Sequence, residues 1–260
     1  MKAVVLTHDA RVFLAELTIQ SYMKYWPNSG LTFRVPYNND KPVWADKYGN
    51  VEFVKCDKHV KPTVHALLND IPDSEWIYWC FDDCYMHDVL DYGALNGVKN
   101  YIESDGAHTI DAFRLISFHD ELQKGGERLT FGSTEFAPKV WQPYRFWFHQ
   151  FVRAGAMKCA FLDNDLPETA KIAHIEAKRT TNPRGKHNVY IPAKDVCVLG
   201  ETSRGGMLTQ NCLRVLDEYG IEFIEEKASR VPGFILNGAD VNNSGISSSV
   251  KGKNYLKRYL

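Results

Sequence analysis

Apolar positions over the first hundred residues alternate between short unbroken runs and stretches with a helical period. The unbroken runs predict strands at 2–7, 31–36, 51–56 and 77–81. Apolar residues that recur every three or four positions predict helices at 11–26, 62–68 and 88–102. Strands that alternate with helices are typical of α/β proteins. We therefore expect a mostly parallel central sheet that is flanked by helices and joined by right-handed crossovers.

Beyond residue 102 the alternation is less regular. Strands are predicted at 110–118, 128–131, 189–192, 196–199 and 221–224, and helices at 165–178 and 207–219. No repeat and no linker-like stretch divides the chain, so we expect one domain over 1–260. Within it, we expect a regular first half at 1–120 and a mixed second half at 121–260.

Composition narrows the class of protein. The chain has 260 residues, 44% of them hydrophobic, which is enough to bury a sizeable core. Its net charge of −1 does not favour binding to nucleic-acid polymers or anionic membranes. No apolar run approaches the roughly 20 residues of a membrane span, so we expect no transmembrane segment. The six cysteines form no CxxC pair, and we expect buried, reduced thiols in a cytoplasmic protein.

The main candidate for chemistry is the end of the apolar strand at 77–81. Asp82 and Asp83 follow it directly, and a buried parallel strand delivers its carboxyl end to the crevice where α/β proteins bind ligands. Neighbouring carboxylates with little water around them repel each other and need a cation. We therefore predict that these acids hold Mn²⁺ or Mg²⁺, which in turn binds a diphosphate. The alternative is a solvated turn, since two acids at a strand end often form one.

Polar residues at other predicted strand ends and helix starts extend this candidate site. They are Thr7, His8 and Asp9 after the first strand, Tyr37 after the second, Lys61 before the helix at 62–68, and Arg204 in a Gly-rich turn. We expect Tyr37 to stack on a base, and Lys61 and Arg204 to reach phosphate or sugar groups. The alternatives are an exposed loop tyrosine, a solvated lysine and a plain turn. The sequence has neither GxGxxG nor GxxxxGK[ST], which argues against a dinucleotide-binding or P-loop site.

The stretch 76–84 resembles the metal-binding strand of GT-A glycosyltransferases, in which a DxD motif follows an apolar strand. Here the motif reads Asp82-Asp83-Cys84, and the changed third position leaves open which carboxylate binds the metal directly. The resemblance implies a GT-A-like fold with a donor half at 1–120 and an acceptor half at 121–260. It also implies sugar transfer from a nucleotide-diphosphate-sugar, with UDP-sugar favoured, to a hydroxyl acceptor.

The same stretch is similar, more loosely, to glycosyltransferases of large DNA viruses, including chlorovirus enzymes that transfer rhamnose. This likeness implies transfer of a hexose or deoxyhexose. It also implies a cytoplasmic location, in the cytoplasm of the host if the protein is viral.

The GT-A resemblance implies roles for residues outside the acidic pair. The three polar residues after the first strand take the position that contacts the base and ribose. A late histidine often completes the metal site, and His187 fits that role in type and order, followed by His174. Trp141 and Tyr144 lie in an aromatic stretch that follows the sheet in several GT-A families, and we expect them to stack on an acceptor sugar. Core packing is the alternative for both.

An inverting GT-A enzyme also needs a carboxylate base that deprotonates the acceptor hydroxyl. Asp165 and Glu168, at the start of the predicted helix 165–178, are the candidates, with Asp163 behind them. The alternative is structural, because Asp165 and Glu168 also have the spacing of a helix cap and a capping box.

Two other functions fit parts of the pattern. A nucleotidyltransferase also uses paired acids and a metal, but it usually has a Gly-rich loop bearing Arg or Lys after the first strand. Residues 7–12 are not Gly-rich. A non-catalytic sugar- or nucleotide-binding module explains the aromatic residues, but it does not explain paired acids aimed at a crevice.

Overall fold

The structure is a computed structural model, and it describes residues 1–104, 109–117, 126–140, 149–162, 166–171, 187–204, 207–222, 230–231 and 236–237. Its helices are α1 (Val12–Tyr25), α2 (Val60–Leu68), α3 (Tyr92–Glu103), α4 (Ala154–Phe161) and α5 (Gln210–Glu218), with a short 3₁₀ helix at Asp9–Arg11. The first eight strands are β1 (Lys2–Leu6), β2 (Thr32–Tyr37), β3 (Val51–Lys55), β4 (Trp76–Phe81), β5 (Cys84–Val89), β6 (Ala112–Arg114), β7 (Leu129–Phe131) and β8 (Thr134–Val140). The others are β9 (Gln150–Arg153), β10 (Asn188–Pro192), β11 (Cys197–Glu201), β12 (Ser203–Arg204), β13 (Met207–Thr209), β14 (Arg230–Val231) and β15 (Leu236–Asn237).

The main sheet has nine strands in the order β3-β2-β1-β4-β9-β6-β10-β8-β7. The neighbours β3, β2, β1 and β4 are parallel, and so are β6 and β10. Strand β9 runs antiparallel to β4 and β6, and β8 runs antiparallel to β10 and β7. All strands of this sheet except β8 and β9 therefore point the same way. This arrangement confirms the predicted α/β fold with a mostly parallel sheet and a mixed second part.

Alternate residues of the central strands face two layers of helices. On one face, Val5 and Tyr78 pack with residues of α1 and α3. On the other face, Leu6 and Trp79 pack with residues of α2 and α4. Every residue of β4 is buried, as the unbroken apolar run predicts. Because both faces of the sheet are covered, the carboxyl ends of the strands are where a polar site can form.

The chain leaves the main sheet immediately after β4. It turns at Asp82 and Asp83 and continues as β5, which pairs antiparallel with β11 in a separate small sheet of order β15-β11-β5. Strand β5 also contacts α1, since Thr18 Oγ1 donates to the Cys84 carbonyl over 3.1 Å. The pairing with β11 brings residues near 201 to the end of β4.

Most elements of the first hundred residues agree with the sequence. The first four predicted strands and first two predicted helices are confirmed to within two residues at each end. The helix predicted at 88–102 is wrong at its start, because 84–89 is β5 and α3 begins at Tyr92. Asp91 caps that helix by accepting the Ala94 N–H over 2.8 Å.

The second half departs further from the prediction. The helix predicted at 165–178 is wrong for the described residues 166–171, where a turn joins Pro167 O to the Ala170 N–H. The helix predicted at 207–219 begins three residues later, because Met207–Thr209 form β13. Strands β8 and β9 and helix α4 are not predicted at all. Pro138 lies within β8, and proline argues against a strand when only the sequence is read.

All six cysteines are buried, as predicted. Of the helices in the described part of the chain, none combines the length and apolar character needed to cross a bilayer.

Candidate functional site

A cavity of about 810 Å³ opens at the carboxyl ends of β1 and β4. The sheet order reverses between these strands, since β2 and β3 lie on one side of β1 and β4 lies on the other. Such a reversal leaves the crevice in which open α/β sheets bind ligands. The lining residues include Thr7, Arg11, Asn38, His59, Asp82 and Asp83. The volume falls within the range of small-molecule sites, about 300–1,000 Å³.

Asp82 is held in one orientation by residues that follow β1. The register places Leu6 beside Phe81, so the next residues along the two strands, Thr7 and Asp82, also meet. Thr7 Oγ1 donates to Asp82 Oδ2 over 2.7 Å, and Arg11 Nε lies 3.7 Å from the same oxygen. Burial raises the pKa of Asp82, while Arg11 and Thr7 act in the opposite direction. The carboxylate is therefore oriented, with Oδ2 engaged by protein donors.

Asp83 has a different environment. Its Oδ1 is buried, and no hydrogen-bond donor of the described residues reaches it. Burial and then the charge of Asp82 raise the pKa of Asp83 to about 7, with Arg11 opposing them. A buried anionic oxygen without a donor is a position that a cation would stabilise.

A segment from the second half of the chain completes the turn. Thr202, which follows β11, donates its backbone N–H to Asp83 O over 2.7 Å and its Oγ1 to Asp82 O over 2.9 Å. The next residue, Ser203, accepts from Arg11 Nη2 over 2.7 Å. The backbone of the acidic pair is therefore fixed by a residue that lies 120 positions away in the sequence.

Asp9 joins two of the turns that form the cavity wall. Its carboxylate accepts from the backbone N–H of Asn38, the backbone N–H of Asn39 and Asn39 Nδ2, at 2.7, 3.1 and 2.8 Å. Burial raises the pKa of Asp9, but these hydrogen bonds outweigh it and hold the pKa below the usual value. In this arrangement, Asp9 fixes the turn after β2 beside the turn after β1.

The start of α2 forms another part of the wall. His59 has φ 84° and ψ 158°, a backbone conformation that is almost confined to glycine and costs roughly 1–3 kcal/mol. Its carbonyl accepts from the N–H and the Oγ1 of Thr63, at 3.2 and 2.8 Å, which fixes the first turn of the helix. Lys58, exposed on the same rim, adds a positive charge to the lining.

Some predicted site residues lie at the cavity, and others are engaged nearby. Thr7, His8, Asp9, Asp82 and Asp83 line it together. Tyr37 is half-buried at the end of β2. Lys61, predicted to reach a diphosphate, is buried, and its Nζ donates to Leu166 O over 2.7 Å. Glu168 is exposed on the turn that follows Leu166.

The structure does not bring His187 to the acidic pair, which corrects the prediction that it is a metal ligand. It precedes β10, and its Nδ1 lies 3.7 Å from Asp111 Oδ2. The registers place Val189 level with Ile77 across β6 and β9, so His187 lies at the opposite end of the strands from Asp82. Seven residues along a strand correspond to roughly 20 Å.

Several predicted residues fall outside the described part of the chain. Asp163 and Asp165, proposed as bases, and Trp141 and Tyr144, proposed as a sugar platform, lie there, as does the alternative histidine at 174. For Arg204 the structure describes only the backbone, which belongs to β12. These assignments stay predictions.

The unpredicted residues of the site include Arg11, Asn38, His59 and Thr202. The polar run that begins after Tyr37 contained a signal for Asn38. Arg11 stood at the first position of a predicted helix, so its side chain was assigned no role. Nothing local in the sequence marks His59 or Thr202, because the backbone strain of one and the contacts of the other arise from tertiary structure.

The acidic pair fits a divalent cation. Asp83 offers a buried oxygen with no donor from the described residues, and Asp82 lies beside it with its Oδ1 not used by Thr7 or Arg11. Within the described ranges, no three or more His, Cys, Asp or Glu side chains converge to hold a metal. The remaining ligands would therefore be water or substrate oxygens, as is usual for Mg²⁺ with one or two carboxylates and a phosphate group.

No protein-family model matches the sequence, and no curated protein matches it. Among solved structures, the chain is similar to S. aureus TarS 1–349, with 17% identity over 73% of this chain and 59% of that one, and a TM-score of 0.43. It is similar to an active-site mutant of the galactosyltransferase LgtC, with 10% identity over 92% of this chain and 87% of that one, and a TM-score of 0.41. It is also similar to 4-diphosphocytidyl-2C-methyl-D-erythritol synthase, with 13% identity over 72% of this chain and 92% of that one, and a TM-score of 0.33. At these identities and TM-scores, the similarity does not assign a function to this chain.

Proposed function

We propose that this protein is a metal-assisted glycosyltransferase. It moves a sugar from a nucleotide-diphosphate-sugar, with UDP-sugar favoured, to a hydroxyl acceptor. One observation carries the proposal: two adjacent, shielded carboxylates end a buried parallel strand at the reversal point of the sheet, and one of their oxygens has no donor from the described residues. A cation would stabilise this oxygen, and the cavity that Asp83 lines has the size of a small-molecule site.

The residues of the site have separate roles in this proposal. Asp83 supplies a direct ligand to Mn²⁺ or Mg²⁺, and Asp82 supports it while Thr7 and Arg11 keep its carboxylate oriented. When bound, the ion offsets the negative charge that develops on the departing diphosphate. Arg11 and Lys58 place positive charge on the rim of the same cavity, where the diphosphate would lie.

The acceptor side is proposed on the second half of the chain. What supports this is that Lys61, in the first turn of α2, donates to the Leu166 carbonyl, two residues before Glu168, and that Val60 and Thr63 of the same turn line the cavity. A carboxylate of this segment, Glu168 or one of the acids at 163 and 165, would take the proton from the acceptor hydroxyl. Attack by that oxygen would invert the anomeric centre.

Metal-dependent nucleotide binding tests the proposal. Titration calorimetry with UDP, in the presence of Mn²⁺ or of EDTA, measures how far the ion strengthens binding. We expect tight binding by the wild type only with Mn²⁺. Asp83→Asn should lose at least tenfold in that affinity, because it removes a charged ligand and keeps the shape of the side chain.

Asp73→Asn is the matched control. Asp73 lies just before the amino-terminal end of β4, and the acidic pair lies at the carboxyl-terminal end. Asp73 Oδ1 accepts from Lys158 Nζ over 2.7 Å. Its substitution should leave UDP affinity unchanged. Equal affinities with Mn²⁺ and EDTA, in a folded wild-type protein, would contradict metal assistance.

Nucleotidyl transfer is the second candidate, and Arg11 is the observation that favours it. This cation follows β1 and lines the cavity, in the position where nucleotidyltransferases carry Arg or Lys. A thermal-shift panel separates the candidates: stabilisation by UDP and UDP-sugars with Mn²⁺ supports sugar transfer, and stabilisation by nucleoside triphosphates alone supports nucleotidyl transfer. A response to free sugars without metal supports a non-catalytic binding module.

A further inference from the structure

A buried histidine contacts the strand residue that precedes the acidic pair. His149 is 1% exposed, and its Nε2 lies 3.2 Å from Phe81 O and 3.3 Å from Phe81 N. On the other side of the ring, Nδ1 lies 2.6 Å from the Tyr22 hydroxyl, which is 2.8 Å from the Tyr78 hydroxyl. A continuous polar chain therefore runs through the core from two tyrosines to the peptide groups of Phe81.

The position of His149 follows from where β9 begins. Strand β9 pairs with β4 only as far as Gln150, which lies opposite Trp79. Phe81 lies beyond that pair, and among the described residues no strand pairs with its peptide groups on this side. A buried peptide group that lacks a hydrogen-bond partner destabilises the folded state. The imidazole of His149 contacts both of these peptide groups.

The ring can serve Phe81 in either neutral form. In one tautomer, Nε2–H donates to Phe81 O and Nδ1 accepts from Tyr22. In the other, Nε2 accepts the Phe81 N–H and Nδ1–H donates to the Tyr22 oxygen. Burial lowers the pKa of His149 to about 4, so the ring is neutral at neutral pH and both arrangements are available to it.

We propose that His149 is a positioning residue for the acidic pair, an inference that rests on the proposed function. It fixes the Phe81 peptide, and Thr202 fixes the carbonyls of Asp82 and Asp83 from the other side. Together these two residues set the direction in which both carboxylates point at the end of β4. His149 acts through Phe81 and does not itself bind the ion or the nucleotide.

Two substitutions at this position provide the test. His149→Phe keeps a planar ring but removes both nitrogens, whereas His149→Gln keeps one donor and one acceptor. The measurement is the affinity for UDP with Mn²⁺ and with EDTA, together with the melting temperature. We expect His149→Phe to weaken Mn²⁺-dependent UDP affinity roughly tenfold to hundredfold and to leave UDP binding in EDTA unchanged. His149→Gln should lose less of this affinity, because it keeps a donor and an acceptor.

Tyr22→Phe is a milder variant in case His149→Phe does not fold. It removes only the hydroxyl that contacts the ring, and it should weaken Mn²⁺-dependent affinity in the same direction. Tyr48→Phe is the matched control, because the Tyr48 hydroxyl donates to Glu16 of the same helix α1 over 2.8 Å without contact to β4. It should lower the melting temperature slightly and leave the affinity unchanged.

The outcomes separate this inference from the proposed function. If the wild type binds UDP equally well with Mn²⁺ and EDTA, the proposed function fails and this inference fails with it. The other outcome is that the wild type needs Mn²⁺ to bind UDP, and that Tyr22→Phe and the folded His149 variants match it in UDP affinity and in Mn²⁺ dependence. In that case only the positioning role is overturned. A loss of melting temperature without a change in Mn²⁺ dependence would give His149 a purely structural role.

Discussion

Asp82 and Asp83 are neighbours in the sequence, but their oxygens have different surroundings. Oδ2 of Asp82 meets Thr7 and Arg11, whereas Oδ1 of Asp83 is buried and receives no donor from the described residues. The altered DxD motif leaves open which acid binds a metal directly. The environment of the individual atoms favours Asp83 as the direct ligand and Asp82 as its oriented neighbour.

The raised pKa of Asp83 predicts a pH-dependent stability of the metal-free protein. Its pKa is about 7 in the folded state, against an ordinary value of 3.8. The folded state therefore binds the proton more tightly, and stability is lost as the pH rises through this interval. Asp83→Asn should flatten the decline between about pH 4 and pH 7 and be more stable than wild type at pH 8.

Urea denaturation in EDTA across this pH range measures the effect. Some decline should remain in the variant, because burial also raises the pKa of Asp82. An equal decline in wild type and variant would show that Asp83 does not titrate in this interval. Adding Mn²⁺ at pH 8 should stabilise the wild type more than the variant.

The antiparallel pair β5 and β11 carries Thr202 to the acidic turn. Gly200, in β11, lies opposite Tyr85 of β5. A Cβ at this glycine would overlap the Tyr85 ring, so the two strands can approach this closely only without a side chain at 200. The sequence pattern places Gly200 in a turn. In the structure it lies in β11, where its lack of a side chain allows the close approach of β11 to β5.

Gly200→Ala should therefore be destabilising. Overlap with a buried ring costs roughly 1–3 kcal/mol in the free energy of unfolding, measured by urea denaturation. Because the strands must move apart, Mn²⁺-dependent UDP affinity should also fall. Gly49→Ala is the control, since a Cβ at Gly49 meets nothing within 4 Å and should change neither quantity.

The strained start of α2 gives a second prediction for an element. The positive φ of His59 strains its backbone, and only glycine adopts this conformation without strain. His59→Gly should be more stable than His59→Ala by about 1 kcal/mol, since both variants lack the imidazole and only alanine keeps the backbone strain. Thermal and urea denaturation of the pair measure the difference. Equal stabilities would show that the loop relaxes when the imidazole is removed.

Across the whole molecule, the candidate site needs both halves of the chain. The GT-A resemblance implies a donor half at 1–120, and the cavity is lined by residues of β1, β4 and the start of α2. The backbone of the acidic pair, however, is held by Thr202, and Ser203 accepts from Arg11. The second half therefore builds part of the site.

Thr202→Val tests this dependence. The substitution keeps the shape of the side chain and removes the hydroxyl that donates to Asp82 O, so the free energy of unfolding should fall by about 1 kcal/mol. Mn²⁺-dependent UDP affinity should fall several-fold, as measured by calorimetry. Thr134→Val, which removes a buried hydroxyl bound to Asp91 Oδ2, should match the stability loss without changing the affinity. If Thr202→Val and Thr134→Val bind UDP with equal Mn²⁺-dependent affinity, the Thr202 hydroxyl is not needed and the first half of the chain is sufficient for binding.

The sequence by itself determined the first half of the fold and the acidic end of β4. These features are local, because hydrophobic periodicity reports which residues face the core within one element. The same reasoning failed at β5, where the chain leaves the main sheet. It also failed at β8, because Pro138 lies within this strand and proline argues against a strand when only the sequence is read.

Only the tertiary structure decided what surrounds the acids. The register of β1 against β4 brings Thr7 to Asp82, and the pairing of β5 with β11 brings Thr202 to the same turn. The pairing of β9 with β4 brings His149, the residue directly before β9, to Phe81. The same topology places His187 at the far end of the strands. Such contacts join residues dozens of positions apart through strand order and register, and a pattern within one element contains neither.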